Sequence, residues 1–134
     1  MTDAYILVIP APAPWINAND REHYHAKAAL TKAWRARAAW VATQARIPRI
    51  DVPVSIEAIV HKSNRVRFDP PNLYPTIKAA IDGLVRHPKH GGADVLADDD
   101  SEHVTRLCIS KGEPDEHGSR LVLIIRKAAK EAAS

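Results

Sequence analysis

The hydrophobic pattern of this chain begins with a strand. Residues 5–9 form a continuous apolar run, and the proline-rich stretch 10–14 ends it, because proline lacks a backbone donor and fixes φ. The alanine-rich stretch 24–45 then carries apolar side chains three or four positions apart, which predicts a long helix with one apolar face. That face consists of Leu30, Trp34, Ala38 and Val41.

The rest of the pattern predicts three more strands and a short helix. Apolar residues at every second position of 52–60 indicate a half-buried strand. Asn72 is predicted to cap the next helix, which Gly83 keeps short. Its inward stripe is Ile77, Ile81 and Leu84. Two strands follow, at 104–110 and 120–126, and the apolar run 121–125 indicates a central strand covered on both faces.

The order of elements predicts an α+β fold. Strand, helix, strand, short helix, strand and strand can bury their apolar faces as an α/β sandwich, with helices packed on a small mixed sheet. At 134 residues the chain fits one domain spanning 1–134, and we expect 127–134 to be a polar tail, helical or frayed.

Composition excludes several classes of protein. The content of 46% hydrophobic and 26% charged residues is typical of a soluble globular protein, and no apolar run approaches the ~20 residues of a membrane helix. Residues 1–5 lack the basic region of a secretory signal, so we expect a cytoplasmic location. The single cysteine, Cys108, is expected to be a buried small hydrophobe rather than a catalytic thiol.

The charges are unevenly distributed along the chain. Basic residues crowd 27–46 and 62–67, acidic residues crowd 94–102, and the net charge is +3. A positive surface for a phosphate backbone and a negative pocket for cations can therefore coexist. The candidate backbone contacts are Lys62, Arg65, Arg67, Lys32 and Arg35. For the two residues in the predicted long helix, an ordinary solvated helix face is the alternative.

Carboxylates gather in the middle of the chain from separate segments. Asp69 follows a basic segment, Lys78 and Asp82 are neighbours on one helix face, and three consecutive aspartates, 98–100, precede a strand. Each alone has an ordinary explanation as a turn residue, a surface ion pair or a solvated loop. Like charges at one strand entrance repel each other unless a cation is present, and such carboxylates suit hard divalent cations. The pattern favours a functional site.

These residues resemble the RusA-type Holliday junction resolvases, especially the branch common in actinobacteria and their phages. The similarity is carried by Arg-Phe-Asp-Pro-Pro-Asn at 67–72, Lys-Ala-Ala-Ile-Asp-Gly-Leu at 78–84 and Leu-Ala-Asp-Asp-Asp-Ser-Glu-His-Val at 96–104. Weaker agreement extends to the first strand, the proline-rich connection, the long helix and the closing strands. The resemblance covers most of the chain.

The resemblance implies roles for individual residues. Asp69 matches the family's first metal-ligand aspartate, Lys78 its catalytic lysine and Asp82 its helix aspartate. Asp99 and Asp100 match its acidic pair, with Asp100 favoured as the ligand. The implied catalytic set is Asp69, Lys78, Asp82, Asp99 and Asp100, and the implied metal set is Asp69, Asn72, Asp98, Asp99 and Asp100.

This chain departs from the family in its ligand set. Pro71 stands where the family has its second aspartate, the spacing from Asn72 to Lys78 is three residues longer, and the loop 86–95 is extended. Asp98 or Asp82 could replace the missing carboxylate. We favour this replacement because a third aspartate adjoins the Asp99–Asp100 pair. The alternatives are that Asn72 donates its carbonyl oxygen or that metal binding is weak.

The resemblance also implies an activity. Members are small homodimers that bind four-way DNA junctions and make paired, symmetric, Mg²⁺-dependent nicks; we expect Mn²⁺ to substitute. One alternative is a catalytically degenerate protein of the same fold that binds branched DNA and lost catalysis at Pro71. Another is a metal-dependent phosphohydrolase that acts on a small substrate.

Overall fold

The described part of the chain folds into four strands and two helices in the predicted order. The structure is a computed structural model that describes residues 4–20, 24–89 and 91–128. Its elements are β1 (Ala4–Pro10), α1 (Tyr24–Gln44), β2 (Val54–His61), a 3₁₀ turn (Pro70–Leu73), α2 (Tyr74–Asp82), β3 (Val104–Lys111) and β4 (Arg120–Lys127). The α+β fold class predicted from the sequence is confirmed.

The strands form one mixed sheet in the order β1-β4-β2-β3. β4 pairs antiparallel with β1 and with β2, whereas β2 and β3 run parallel. The parallel pair places the carboxyl ends of β2 and β3 side by side, with Val60 opposite Lys111. α2 lies on the crossover between these two strands, which is the usual connection for a parallel pair.

The two helices contribute apolar side chains to a core on one side of the sheet. The predicted stripe is confirmed as buried: Ile77 and Ile81 lie on α2, and Leu84 follows two residues after its end. The predicted face of α1 needs a correction. Trp34 and Ala38 are fully buried, but Leu30 and Val41 are half-buried, and Ala42 takes the deeper position.

The prediction that β4 is covered on both faces is wrong. Leu121, Leu123 and Ile125 are buried, whereas Val122 and Ile124 alternate with them and are only half-buried. On the same outer face, Ile6 and Val8 of β1 are 61% and 47% exposed. An unbroken apolar run does not show by itself that both faces are covered.

The cysteine prediction is also wrong. Cys108 is exposed, because it alternates with Leu107 and Ile109, which pack against the core. The predicted start of β2 needs a similar correction, since Val52 is 47% exposed and the strand begins at Val54.

Asn72 does not cap α2. The two prolines ahead of it begin the 3₁₀ turn, so Asn72 lies inside that turn, and the residue before α2 is Leu73, which makes no side-chain cap bond. At the carboxyl end, Lys127 belongs to β4, and residues 129–134 of the predicted tail lie outside the described residues. No helix in the described ranges is long and apolar enough to cross a membrane.

Gly83 sets how closely the two helices approach. A Cβ atom at this position would lie 2.3 Å from the Arg35 carbonyl oxygen and 3.2 Å from the Ala39 nitrogen, both backbone atoms of α1. Only glycine fits without moving a helix. This contact positions α2, which carries two of the candidate site residues.

Candidate active site

Lys78 is held between two carboxylates from different segments. Its Nζ donates a hydrogen bond to Asp82 Oδ1 at 2.8 Å, one helical turn away on α2, and another to Asp99, which lies in the loop before β3. The side chains of Lys78, Asp82 and Asp99 are 44%, 38% and 20% exposed. The predicted pairing on α2 is confirmed, and the structure adds Asp99 to it.

The loop that carries Asp99 is fixed against the end of α2 by backbone hydrogen bonds. The amide of Ala93 donates to Gly83 O at 2.8 Å, and those of Val95 and Leu96 donate to Leu84 O, each at 3.0 Å. Val95 and Leu96 are also buried in the core. These contacts turn the chain back beside α2, which places Asp99 within reach of Lys78.

The three charges shift each other's protonation. Partial burial alone would lower the pKa of Lys78. The hydrogen bonds and charges of Asp82 and Asp99 outweigh this effect, and the pKa of Lys78 is raised. Burial and the neighbouring Asp99 raise the pKa of Asp82. A hydrogen bond with the Asp82 carboxyl, together with the hydrogen bond and the charge of Lys78, lowers the pKa of Asp99 to about 2. The site therefore holds a firmly protonated ammonium group.

The other two consecutive aspartates stabilise the local backbone. Asp98 Oδ1 accepts the Asp99 amide at 2.7 Å. Asp100 Oδ1 accepts the amides of Glu102 and His103, each at 3.1 Å, and lies 2.5 Å from His103 Nδ1. This contact lowers the pKa of Asp100 and raises that of His103. Among the described residues, Asp99 rather than Asp100 contacts Lys78.

Asp69 precedes the 3₁₀ turn, and Asn72 lies inside it. Asp69 is exposed and extended, with φ −97° and ψ 112°, as expected before proline, and its carbonyl oxygen accepts the Asn72 amide at 3.0 Å. Asn72 is half-buried, and its own carbonyl oxygen accepts the Ala18 amide at 2.7 Å. Pro71, beside them, is exposed.

The predicted metal set has suitable chemistry but is dispersed. Carboxylate and amide oxygens are the ligands that Mg²⁺ prefers, and all the predicted ligands supply them. Within residues 4–20, 24–89 and 91–128, however, no group of three or more His, Cys, Asp or Glu side chains lies close enough to hold a metal ion. At this site the two carboxylates that meet are those of Asp82 and Asp99, and the cation between them is Lys78.

A mainly apolar cavity adjoins this site. It has a volume of about 430 Å³ and lies between α2 and β3. Its lining residues are Tyr74, Lys78, Ile81, Asp99, Ser101, Val104, Leu107 and Ile109. The sequence did not predict this cavity. Its one signal there is Tyr74, an aromatic residue in the first turn of α2 that precedes the Lys78–Asp82 pair and is 46% exposed.

Predicted DNA-contacting residues lie at the other end of β3. Lys62 Nζ lies 4.4 Å from the centroid of the Phe68 ring, and Lys111 Nζ lies 5.5 Å from it. Arg65 and Lys111 line one cavity of about 320 Å³. We refer to Lys62, Arg65, Phe68 and Lys111 as the basic cluster.

The basic cluster differs from the predicted set of contacts. Lys111 was missed by the sequence analysis, and its only signal there is a lysine at the end of a strand. Arg67 is exposed beside Phe68 in the chain, whereas Lys32 and Arg35 lie apart on α1, where Lys32 is exposed and Arg35 half-buried.

Comparison with known proteins adds no family assignment. No protein-family model matches the chain, and no curated protein matches its sequence. The resemblance to RusA-type resolvases therefore rests on the three segments at 67–72, 78–84 and 96–104.

Proposed function

We propose that this chain is a Mg²⁺-dependent endonuclease that resolves four-way DNA junctions by paired phosphodiester hydrolysis, as its resemblance to RusA-type resolvases implies. The observation that supports this most strongly is the contact of Lys78 with both Asp82 and Asp99. Lys78 and Asp99 are 21 positions apart and belong to different motif segments. Two segments that resemble the family's catalytic motifs thus meet at one partly buried site.

The metal would draw its ligands from oxygen atoms around this site. The candidates are Asp69, Asn72, Asp98, Asp99 and Asp100. Asp100 Oδ2 accepts no hydrogen bond from a described residue, so it is available to a cation. When bound, Mg²⁺ would supply an activated water and neutralise charge on the phosphoryl oxygens, and Mn²⁺, which takes similar oxygen ligands, is expected to substitute.

Lys78 acts in this proposal as a fixed positive charge. Because its pKa is raised by Asp82 and Asp99, it is a poor proton donor and suits electrostatic stabilisation better than general acid catalysis. The two carboxylates orient its ammonium group, which donates to a phosphoryl or leaving oxygen. Asp82 is thereby a positioning residue.

The substrate and the assembly follow from the same proposal. A four-way junction is two-fold symmetric, so paired nicks require two copies of the chain with one site each. Lys62, Arg65 and Arg67 contact the DNA backbone, which positions the junction without reading its sequence. The homodimer and the cytoplasmic location stay predictions, and light scattering of the purified protein tests the first.

A catalytically degenerate DNA-binding protein is the second candidate. Pro71 in place of a family aspartate favours it, as does the absence of a three-carboxylate group within the described part of the chain. Such a protein binds junctions tightly but does not cut them. A phosphohydrolase acting on a small substrate would lack the steep salt dependence that contacts to several phosphates produce.

A junction-cleavage assay separates these functions. Purified protein is incubated with a labelled four-way junction or a matched linear duplex, in Mg²⁺, Mn²⁺ or EDTA, beside Asp69→Asn, Asp99→Asn and Asp100→Asn. Glu57→Gln is the matched control, because Glu57 pairs with Arg126 on the sheet face away from the core.

The proposal expects paired nicks in the junction alone, lost in EDTA and reduced in Asp69→Asn and Asp99→Asn but not in Glu57→Gln. Reduction in Asp100→Asn as well would assign a catalytic role to the exposed carboxylate. Tight binding without cleavage in either metal would support the degenerate binder, and failure to bind junctions would overturn both candidates.

A further inference from the structure

Lys111 is held beside Lys62 by the pairing of two strand ends. β2 and β3 are parallel, and the segments that follow them are joined by backbone hydrogen bonds: Gly112 N donates to Val60 O at 2.9 Å and Asp115 N to Lys62 O at 2.8 Å. A Cβ at Gly112 would lie 2.3 Å from His61 Cε1, so the two segments are in close contact. The spacing of the two lysines is therefore set by the backbone.

Phe68 is the surface on which the two ammonium groups converge. Its half-buried ring packs against the core, and Lys62 and Lys111 both approach it. An aromatic face attracts cations, but two ammonium groups at one ring also repel each other. An anion that contacted both would remove this repulsion.

These cations have no internal counter-ion. Four cations of the described chain do have one: Arg49 pairs with Asp51 and Asp94, Arg120 with Asp115, Arg126 with Glu57 and Lys78 with two aspartates. Lys62, Arg65 and Lys111 form no ion pair with a described carboxylate. Glu113 lines the cavity that Arg65 and Lys111 share but pairs with neither.

The position of the basic cluster relates it to the candidate active site. Asp99 lies just before the amino end of β3, and Lys111 is the last residue of that strand. Phe68 directly precedes Asp69, a proposed metal ligand, and the cavity beside Lys78 extends to Ile109, two positions before Lys111. The basic cluster therefore adjoins the proposed site, and one DNA arm can contact both.

We propose that Lys62 and Lys111, positioned by Phe68 and joined by Arg65, bind backbone phosphates of the DNA arm that is cut at the Lys78 site. This inference rests on the proposed function and deepens it, because it assigns Lys111 to the substrate surface and pairs it with Lys62 in one phosphate-binding site.

Salt dependence of binding in EDTA tests the contacts without requiring catalysis. Each phosphate contact contributes about 0.9 to the slope of log affinity against log salt. Lys62→Gln and Lys111→Gln should therefore each reduce the slope by about 0.9, and the double variant by about 1.8. Lys127→Gln is the control, because it removes an exposed lysine at the opposite end of the sheet and should leave the slope unchanged.

A second measurement locates the contact. Ethylation of individual phosphates should interfere with wild-type binding near the nick, and Lys111→Gln should lose sensitivity at one of these phosphates while other positions keep theirs. Circular dichroism establishes that each variant is folded before its binding is compared.

The outcomes distinguish this inference from the proposed function. Junction cleavage with slopes unchanged in both lysine variants would overturn the inference alone. Reduced slopes without cleavage would support the inference and count against the nuclease. An equal effect of Lys127→Gln would show a general charge effect, and binding to phosphatidylserine vesicles but not DNA would show a membrane surface; either would overturn the inference.

Discussion

The two ends of β3 handle positive charge in opposite ways. Near its amino end, the Lys78 ammonium group lies between Asp82 and Asp99, which neutralise it at a partly buried site. At its carboxyl end, Lys62 and Lys111 share only the uncharged ring of Phe68. In the first arrangement, internal carboxylates pair with the lysine, which suits a charge that must be accurately placed. In the second, the lysines have no ion pair with a described carboxylate, so they are available to an anionic partner.

The two ends also differ in what holds them in place. The candidate active site depends on packing between α1 and α2 and on buried residues of the loop that carries Asp99. The basic cluster depends on the parallel strand pair and on backbone bonds between the segments that follow it. A change that separates the helices should therefore damage the first site and spare the second.

The largest expected effect comes from removing the neutralised cation. Lys78→Gln should slow junction cleavage by about 100-fold or more, because a fixed charge at the reacting phosphate is lost and two partly buried carboxylates are left facing each other. Single-turnover cleavage with saturating enzyme measures this. Binding in EDTA should change little, and a cleavage rate like that of Lys127→Gln would exclude Lys78 from catalysis.

Separating the helices should have the next largest effect. Gly83→Ala places a methyl group against the Arg35 carbonyl oxygen, and we expect the free energy of unfolding to fall by about 1–3 kcal/mol. Urea denaturation measures it, with Ala36→Ser on the exposed face of α1 as a control that should change stability by less than about 0.5 kcal/mol. Equal stability of both variants would contradict the close contact.

Acid should weaken the candidate active site through Asp99. Because its folded pKa is lowered to about 2 from an ordinary 3.8, its ionised form stabilises the protein above pH 4, and this contribution is lost as the pH falls towards 2. Between pH 4 and pH 2 in EDTA, the free energy of unfolding of Asp99→Asn should therefore fall less than that of the wild type. The difference between the two falls should be no more than about 2 kcal/mol. Parallel stability curves would show that Asp99 has no such role.

The smallest effect is expected at the basic cluster. Because Lys62 and Lys111 repel each other without an ion pair, replacing either with Gln should change the free energy of unfolding by less than about 0.5 kcal/mol. Any gain should appear at low salt and vanish near 1 M, where the screening length is about 3 Å. Urea denaturation at both salt concentrations checks this, and a large loss of stability would mean that the cluster is structural.

Local spacing predicted much of this molecule. Helix periodicity alone places Lys78 and Asp82 on one face and makes Ile77, Ile81 and Leu84 a buried stripe, and both predictions are confirmed because they depend only on neighbouring residues. The order of elements and the α+β class followed from the same periodicities.

Contacts between distant segments needed the tertiary structure. Three consecutive aspartates are indistinguishable in sequence, and only the backbone bonds between the end of α2 and the loop select Asp99 to meet Lys78. Lys111 joins Phe68 because β2 and β3 run parallel, and Cys108 is exposed because its strand turns that position outward. Such choices depend on which elements pack together, and residue spacing within one element carries no information about that.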